Sequence, residues 1–237
     1  MATGLSVHIG LNQVDPAAYD GWSGELGAGE QDAVDMARLA DAAGFDVTDP
    51  LLSGAATAET VTATLEAAAA RLAEGDILFL SYAGHGGQVP DLNHDETGDR
   101  LDETWVLYDR QLVDDELFEL FGKFAKGVRI WLLSDSCHSG TVAGRLAETL
   151  SAQELDRRFR TVEPEEVGRR IRTMPQSVQS AVYRRDRDAY DRIRAFAGSY
   201  RGLHREVVRR MPPDQTPDFV QAGVANPPFV RQRPFTI

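Results

Sequence analysis

The sequence predicts an α/β fold, a mainly parallel sheet covered by helices on both faces, and three observations carry that prediction. Short apolar runs alternate with amphipathic segments through the first 140 residues. The runs are continuously apolar, as strands buried on both faces are, and two of them end in polar, glycine-containing motifs. In chain order, "LSVHIGLN" reads as a strand and "GEQDAVDMARLADAAG" as a helix stopped by Gly44. "FDVTDPLL" reads as a short strand, after which Thr57 caps the helix "AETVTATLEAAAARLAEG", ended by Gly75. "DILFLSYAG" is an apolar strand; a polar loop, "ETWVLYD", the helix "DDELFELFGKF" and the strand "VRIWLLSD" follow.

Three regions are expected: residues 1–144 as the sheet domain, 145–212 as an Arg-rich helical extension, and 213–237 as a Pro-rich, extended tail. The helical region is drawn from "RLAETLSAQELDRRF" and "SVQSAVYRRDRDAYDRIRAF". The chain shows no internal repeat. With 237 residues, 42% of them hydrophobic, a sizeable core is available.

One cysteine excludes an internal disulfide, and "MATGLSVHIG" has neither the basic nor the apolar region of a leader. No apolar run approaches the ~18 residues of a membrane span. The expectation is a soluble, cytoplasmic protein of a reducing compartment. Charge is divided unevenly: residues 1–144 hold 7 Lys and Arg against 25 Asp and Glu, a net −18, whereas 145–237 hold 18 against 12, a net +6. The acidic part disfavours nucleic acid and favours cationic ligands; the arginines of the second part, interleaved with acids, read as a solvated helical face.

In such sheets functional residues gather in loops at the carboxyl ends of the strands. "SYAGHGGQ" follows one predicted strand and "SDSCHSG" another; if those strands are neighbours, His85 and Cys137 meet although 52 residues separate them. A cysteine nucleophile needs a base or cation to favour thiolate, backbone N–H groups for an oxyanion, and access to substrate. His85 is the candidate base, and the N–H groups of Gly86 and Cys137 are the natural oxyanion pair, the glycines around His85 letting the backbone approach closely. A lone cysteine commonly packs as a small hydrophobe. Cys137 departs from that pattern, lying among polar residues beyond the apolar stretch of its strand. Ser136 and Ser139 lack the G-x-S-x-G elbow of an α/β-hydrolase. A zinc site from Cys137, His138, His85 and His94 matches no finger or deaminase spacing.

"YAGHGGQ" followed by "DSCHSG", with "DETGDRLDETWVLYD" and "LVDDEL" between them, resembles the caspase-like cysteine peptidases, in particular the metacaspases and bacterial orthocaspases, over residues 5 to 142. The resemblance implies a three-layer α/β/α sandwich and a His85–Cys137 dyad that hydrolyses peptide bonds through a thioester. It also implies cleavage after Arg or Lys, with Asp135 and Asp32 as the acids of a pocket in which buried carboxylates would meet the substrate cation. Calcium-dependent members use aspartates that match Asp102, Asp114 and Asp115 plus a fourth near Gly144, where this chain has no acid, so a calcium site is incomplete. The chemistry itself needs no cofactor. "DLNHDETGDRLDE" is a poor EF-hand, with its glycine at the wrong loop position and Asp102 in place of the closing Glu. The small-subunit strands of the family, one ending in a Gly-Cys-Gln-type motif, have no counterpart before Ile237. Either the chain stops early, that region has diverged, or a separate chain supplies it; activation by processing or by a protein partner is expected, and the departure motivates an alternative, a catalytically incompetent binding module on a protease-like scaffold.

Overall fold

The computed structural model describes residues 2–90, 101–136, 174–190 and 220–221. In chain order its elements begin with β1 (Gly4–Gly10), α1 (Gly29–Ala42), β2 (Asp46–Val47), β3 (Leu51–Leu52), α2 (Ala58–Arg71) and β4 (Ile77–Ala83). Then come β5 (Gly86–Pro90), β6 (Leu101–Val106), β7 (Gln111–Val113), α3 (Asp114–Gly122) and β8 (Arg129–Asp135). Residues 176–190 form a helix, α4, and β9 is Val220–Gln221. The main sheet runs β2, β1, β4, β8, β9 with β3 also beside β1, and every pairing in it is parallel.

Strand parity sorts the side chains onto two faces. Leu5, Val7 and Ile9 of β1 and Leu78, Leu80 and Tyr82 of β4 share one buried cluster with Leu65 of α2, Leu117 of α3 and Val182 of α4. Each such side chain contributes about 1.5–3 kcal/mol by leaving water. The opposite face takes α1, whose buried stripe is Gly29, Ala33, Ala37 and Ala40. Small residues let this helix lie close: a Cβ on Gly10 would come within 2.3 Å of the Gly29 carbonyl oxygen and 2.7 Å of Ala33 Cβ. The layering is the α/β/α sandwich expected from the sequence.

The helix ends are set locally. Gly44, at φ 86°, closes α1: its N–H donates to Asp41 O and that of Phe45 to Ala40 O, the two bonds of a Schellman motif. Thr57 caps α2 by accepting from the Thr60 N–H at 3.1 Å. The far end of α2 differs from expectation, since the helix stops at Arg71 and Leu72 turns extended to bury its side chain. Gly75 then turns the chain at φ 91°, while the Asp76 carboxylate accepts the N–H groups of Ala73 and Thr3.

Three further differences are physical. "FDVTDPLL" forms two bridges of two residues, because Pro50 has no N–H to continue the ladder. "ETWVLYD" contributes β6 to a separate antiparallel sheet, β5-β6-β7, in which the four residues 107–110 return β6 into β7. A strand does occur late in the chain: β9 extends the main sheet parallel to β8, with Trp131 opposite Val220. The helical expectation for residues 145–212 lies outside the described residues over 145–173 and 191–212, as do the domain boundary at 144 and most of the tail. The described part of the Arg-rich region packs into the core: Met174, Val178 and Val182 join the main cluster, and Tyr190 packs with Val89 and Val113.

One core residue makes stability depend on pH. His8 is wholly buried on β1; its Nδ1 lies 2.7 Å from Ser81 Oγ and its ring meets Phe79 edge-on. Burial pushes its pKa down to about 4 from an ordinary 6.5. Between those values the unfolded chain binds a proton that the folded chain refuses, so stability falls as pH drops from about 6.5 toward 4, by on the order of 3 kcal/mol in total. Urea unfolding at pH 7 and pH 4.5 should therefore show a smaller loss for His8→Asn than for the unaltered protein; an equal loss would dismiss His8 as its source.

Candidate active site

β4 and β8 are adjacent and parallel, in register from Ile77 opposite Arg129 to Ala83 opposite Asp135. Beyond the last pair the Gly84 N–H donates to the Asp135 carbonyl at 3.3 Å. The two motif-bearing strands are thus neighbours, as the sequence requires for a His85 and Cys137 pair. Cys137 itself lies outside the described residues, and so do His94, His138 and Ser139.

His85 occupies the corner where the chain leaves β4 for the antiparallel sheet. Its carbonyl accepts twice, from Tyr82 Oη at 2.7 Å and from the Val106 N–H at 3.0 Å. Tyr82 is itself fixed, stacked on Trp105 with ring centroids 4.4 Å apart, and Trp105 Nε1 donates to Ser134 Oγ on β8 at 3.1 Å. The imidazole is buried; Trp22 packs on it at 4.7 Å, and Nε2 lies 3.0 Å from the Gly24 carbonyl oxygen. A carbonyl oxygen only accepts, so Nε2 carries a proton and Nδ1 is the basic nitrogen of the neutral ring.

Gly86 opens β5 opposite Trp105, and its carbonyl accepts the Met174 N–H at 3.0 Å. A strand residue directs its N–H and C=O to one side, so the Gly86 N–H points away from β6.

The two acids proposed to meet a substrate cation come from different elements on one side of the sheet. Asp135 ends β8 and shares the parity of Trp131, while Asp32 lies in the first turn of α1, which covers that side. Asp32 is half-buried, but Asp135 is exposed, so they are not the buried pair expected from sequence. The start of α1 is held by Asn12, whose Oδ1 accepts the Glu30 N–H at 3.1 Å, and by Ser53, whose Oγ donates to Glu30 and accepts the Asn12 N–H.

Of the calcium set, Asp114 and Asp115 are half-buried in the first turn of α3, where Asp114 Oδ1 accepts the Asp115 N–H. The Asp102 side chain lies outside the described residues. Among the described residues no group of three or more His, Cys, Asp or Glu is placed to hold a metal ion, and no helix is long and apolar enough to cross a membrane.

Sequence reasoning missed Trp22, Gly24 and Tyr82. Gly24 acts through a backbone carbonyl, which has no signature; the cue available was "DGWSGE", an aromatic in a turn.

The family described as "Metacaspase, peptidase C14 domain" matches residues 29–145, spanning α1, the motifs around His85 and Cys137 and the antiparallel sheet. Residues 29–145 are thus similar to the metacaspase family. Metacaspase-1 of Saccharomyces cerevisiae is 46% identical over 72 residues, 28% of this chain and 16% of that protein. Metacaspase-1A of Neurospora crassa is 38% identical over 113 residues, 46% of this chain and 23% of that protein. The chain therefore spans less than a quarter of these metacaspases' length. A solved structure, protein GSU0716 from Geobacter sulfurreducens, is 41% identical with a TM-score of 0.67, and the match covers 99% of each chain. That match also takes in residues beyond 145, outside the metacaspase segment.

Proposed function

We propose that this chain is a cysteine endopeptidase that cleaves after Arg or Lys, with Cys137 as nucleophile and His85 as general base. The observation that carries the reading is the register: Ala83 pairs with Asp135 at the ends of adjacent parallel strands, and in sequence His85 and Cys137 each follow two residues after that pair. The family match and the buried, oriented imidazole support it.

In this mechanism the Cys137 thiolate adds to the scissile carbonyl carbon, and the negative charge passes to the oxygen, which accepts from the Gly86 and Cys137 N–H groups. Collapse breaks the C–N bond; the His85 imidazolium gives its proton to the leaving amine, and a thioester remains. Water then attacks the thioester, His85 takes its proton, and the acid product leaves with the thiolate restored. Asp32 and Asp135, with the net charge of −18 on residues 1–144, select a cationic side chain before the scissile bond. No cofactor enters these steps. Calcium, through Asp102, Asp114 and Asp115, and processing or an activating partner are regulatory inputs consistent with the reading.

Fluorogenic peptides ending in Arg, Lys or Asp, assayed with and without calcium, test it. Hydrolysis is expected after Arg and Lys, little after Asp, and none once iodoacetamide has alkylated Cys137. A preference for Asp, or activity that survives alkylation, would overturn the proposal.

A further inference from the structure

We infer that Arg185 of α4 is a positioning residue for His85, acting through the loop between β1 and α1; the inference rests on the peptidase reading above. Residues 15–22 form a compact turn in which the N–H groups of Ala18, Tyr19, Gly21 and Trp22 donate to Asp15, Pro16, Pro16 and Tyr19 carbonyls. The Ala17 and Ala18 carbonyls accept from none of these N–H groups. Arg185 supplies the donors: Nη1 to the Ala17 carbonyl at 3.2 Å and Nη2 to the Ala18 carbonyl at 2.6 Å. Asp186 fixes the guanidinium from its other side, at 2.9 Å to Nε and 2.6 Å to Nη2.

The same loop orients the imidazole. Trp22 closes the turn and packs on the His85 ring at 4.7 Å, and two residues on, the Gly24 carbonyl takes the Nε2 proton at 3.0 Å. The stem of the loop is tied independently, by the Val14 N–H on the Ser23 carbonyl and by Tyr19 Oη on the Leu107 carbonyl at 2.6 Å. Arg185 adds what those ties lack, a bond from α4 to the outer side of the turn. Since the segment 174–190, which contains α4, is also joined to the strand after His85, through the Met174 N–H on the Gly86 carbonyl and Gln179 Oε1 accepting the Gln88 N–H at 3.2 Å, it braces the imidazole from both flanks.

Removing the guanidinium frees the turn to shift, and loss of the Gly24 contact lets the neutral ring exchange the Nε2–H form for the Nδ1–H form. The wrong tautomer cannot accept the proton at Nδ1, so kcat falls with KM unchanged. A displacement of a fraction of the ~1 Å that costs about 10²-fold corresponds to about a tenfold loss.

Two readouts test the inference. With an Arg-terminated peptide, Arg185→Ala is expected to lower kcat about tenfold at constant KM, and Arg185→Lys, which keeps one charged donor, to recover most of it. Independently of turnover, the ring 15N shifts of His85 in the Cys137→Ala background, measured with the imidazole neutral, are expected to report the Nε2–H form and to move toward a mixture when Arg185→Ala is added. A protein that hydrolyses no peptide sinks the peptidase reading and leaves the tautomer shift to decide for Arg185. Unchanged ring shifts in Arg185→Ala, or in Arg185→Gln should the alanine variant not fold, overturn the inference.

Discussion

Replacing His85 by alanine is expected to lower kcat/KM for an Arg-terminated peptide about 10³-fold, within the 10²–10⁴-fold span of general acid–base catalysis. The loss should fall on kcat, because in the proposed mechanism His85 acts on the proton of the thiol and of the leaving amine, and the substrate cation is assigned to Asp32 and Asp135. Residual activity above Cys137→Ala is expected, since the oxyanion donors remain. A second effect follows from thiolate chemistry. With His85 present, Cys137 should react with iodoacetamide well below the ordinary thiol pKa of ~8.5; in His85→Ala that reactivity should move back toward it. The backbone around position 85 is held by bonds to its carbonyl from Tyr82 Oη and the Val106 N–H, neither of which involves the imidazole. His85→Gln, which keeps more of the side-chain volume, separates loss of chemistry from loss of packing, and both variants should fall equally. Activity within tenfold of the unaltered protein in either variant would remove His85 from the mechanism.

How much of this site was legible in the sequence depends on which atoms do the work. Strand and helix alternation located the parallel sheet, and continuous apolar runs marked β1, β4 and β8, because burial on both faces is a side-chain property. The paired motifs could meet only if β4 and β8 are neighbours, and the two strands are paired in register. Backbone contacts left no such trace. The Gly24 carbonyl that fixes the His85 tautomer could have belonged to any residue type. The glycines beside His85 were read as room for an oxyanion, yet Gly84 has another constraint: a Cβ there would lie 2.5 Å from Tyr82 Oη, the hydroxyl that holds the His85 carbonyl. The exposure of Asp135 was equally hidden, since it depends on what covers the end of β8 and not on β8 itself. Core packing of α4 was missed because its charges dominate its composition, while Val178 and Val182, one helical turn apart, form a narrow apolar edge.

Gly29→Ala should cost about 4 kcal/mol or more, in the range that marks a severe steric defect. Alanine is ordinarily the better helix former by about 1 kcal/mol, so propensity alone predicts the opposite sign. Space decides against it. A Cβ at position 29 would meet the Leu11 carbonyl oxygen at 2.3 Å and the Ala83 carbonyl oxygen at 2.9 Å, both backbone atoms at the ends of adjacent core strands. Neither can rotate away as a side chain would. The Ala83 oxygen is already engaged by the Leu11 N–H at 2.9 Å, so relief requires the start of α1 to lift from the sheet. For a protein of this size such a loss corresponds to a fall in Tm of about 8–16 °C. The displaced turn carries Asp32, and the strand ends beneath it lead into Asn12 and His85. Where the variant still folds, KM for Arg-terminated peptides should therefore rise along with the loss of stability. Thermal unfolding followed by circular dichroism checks the first effect, and a Tm within 3 °C of the unaltered protein would mean that α1 can shift without loss, contrary to the close packing of Gly10 against Gly29.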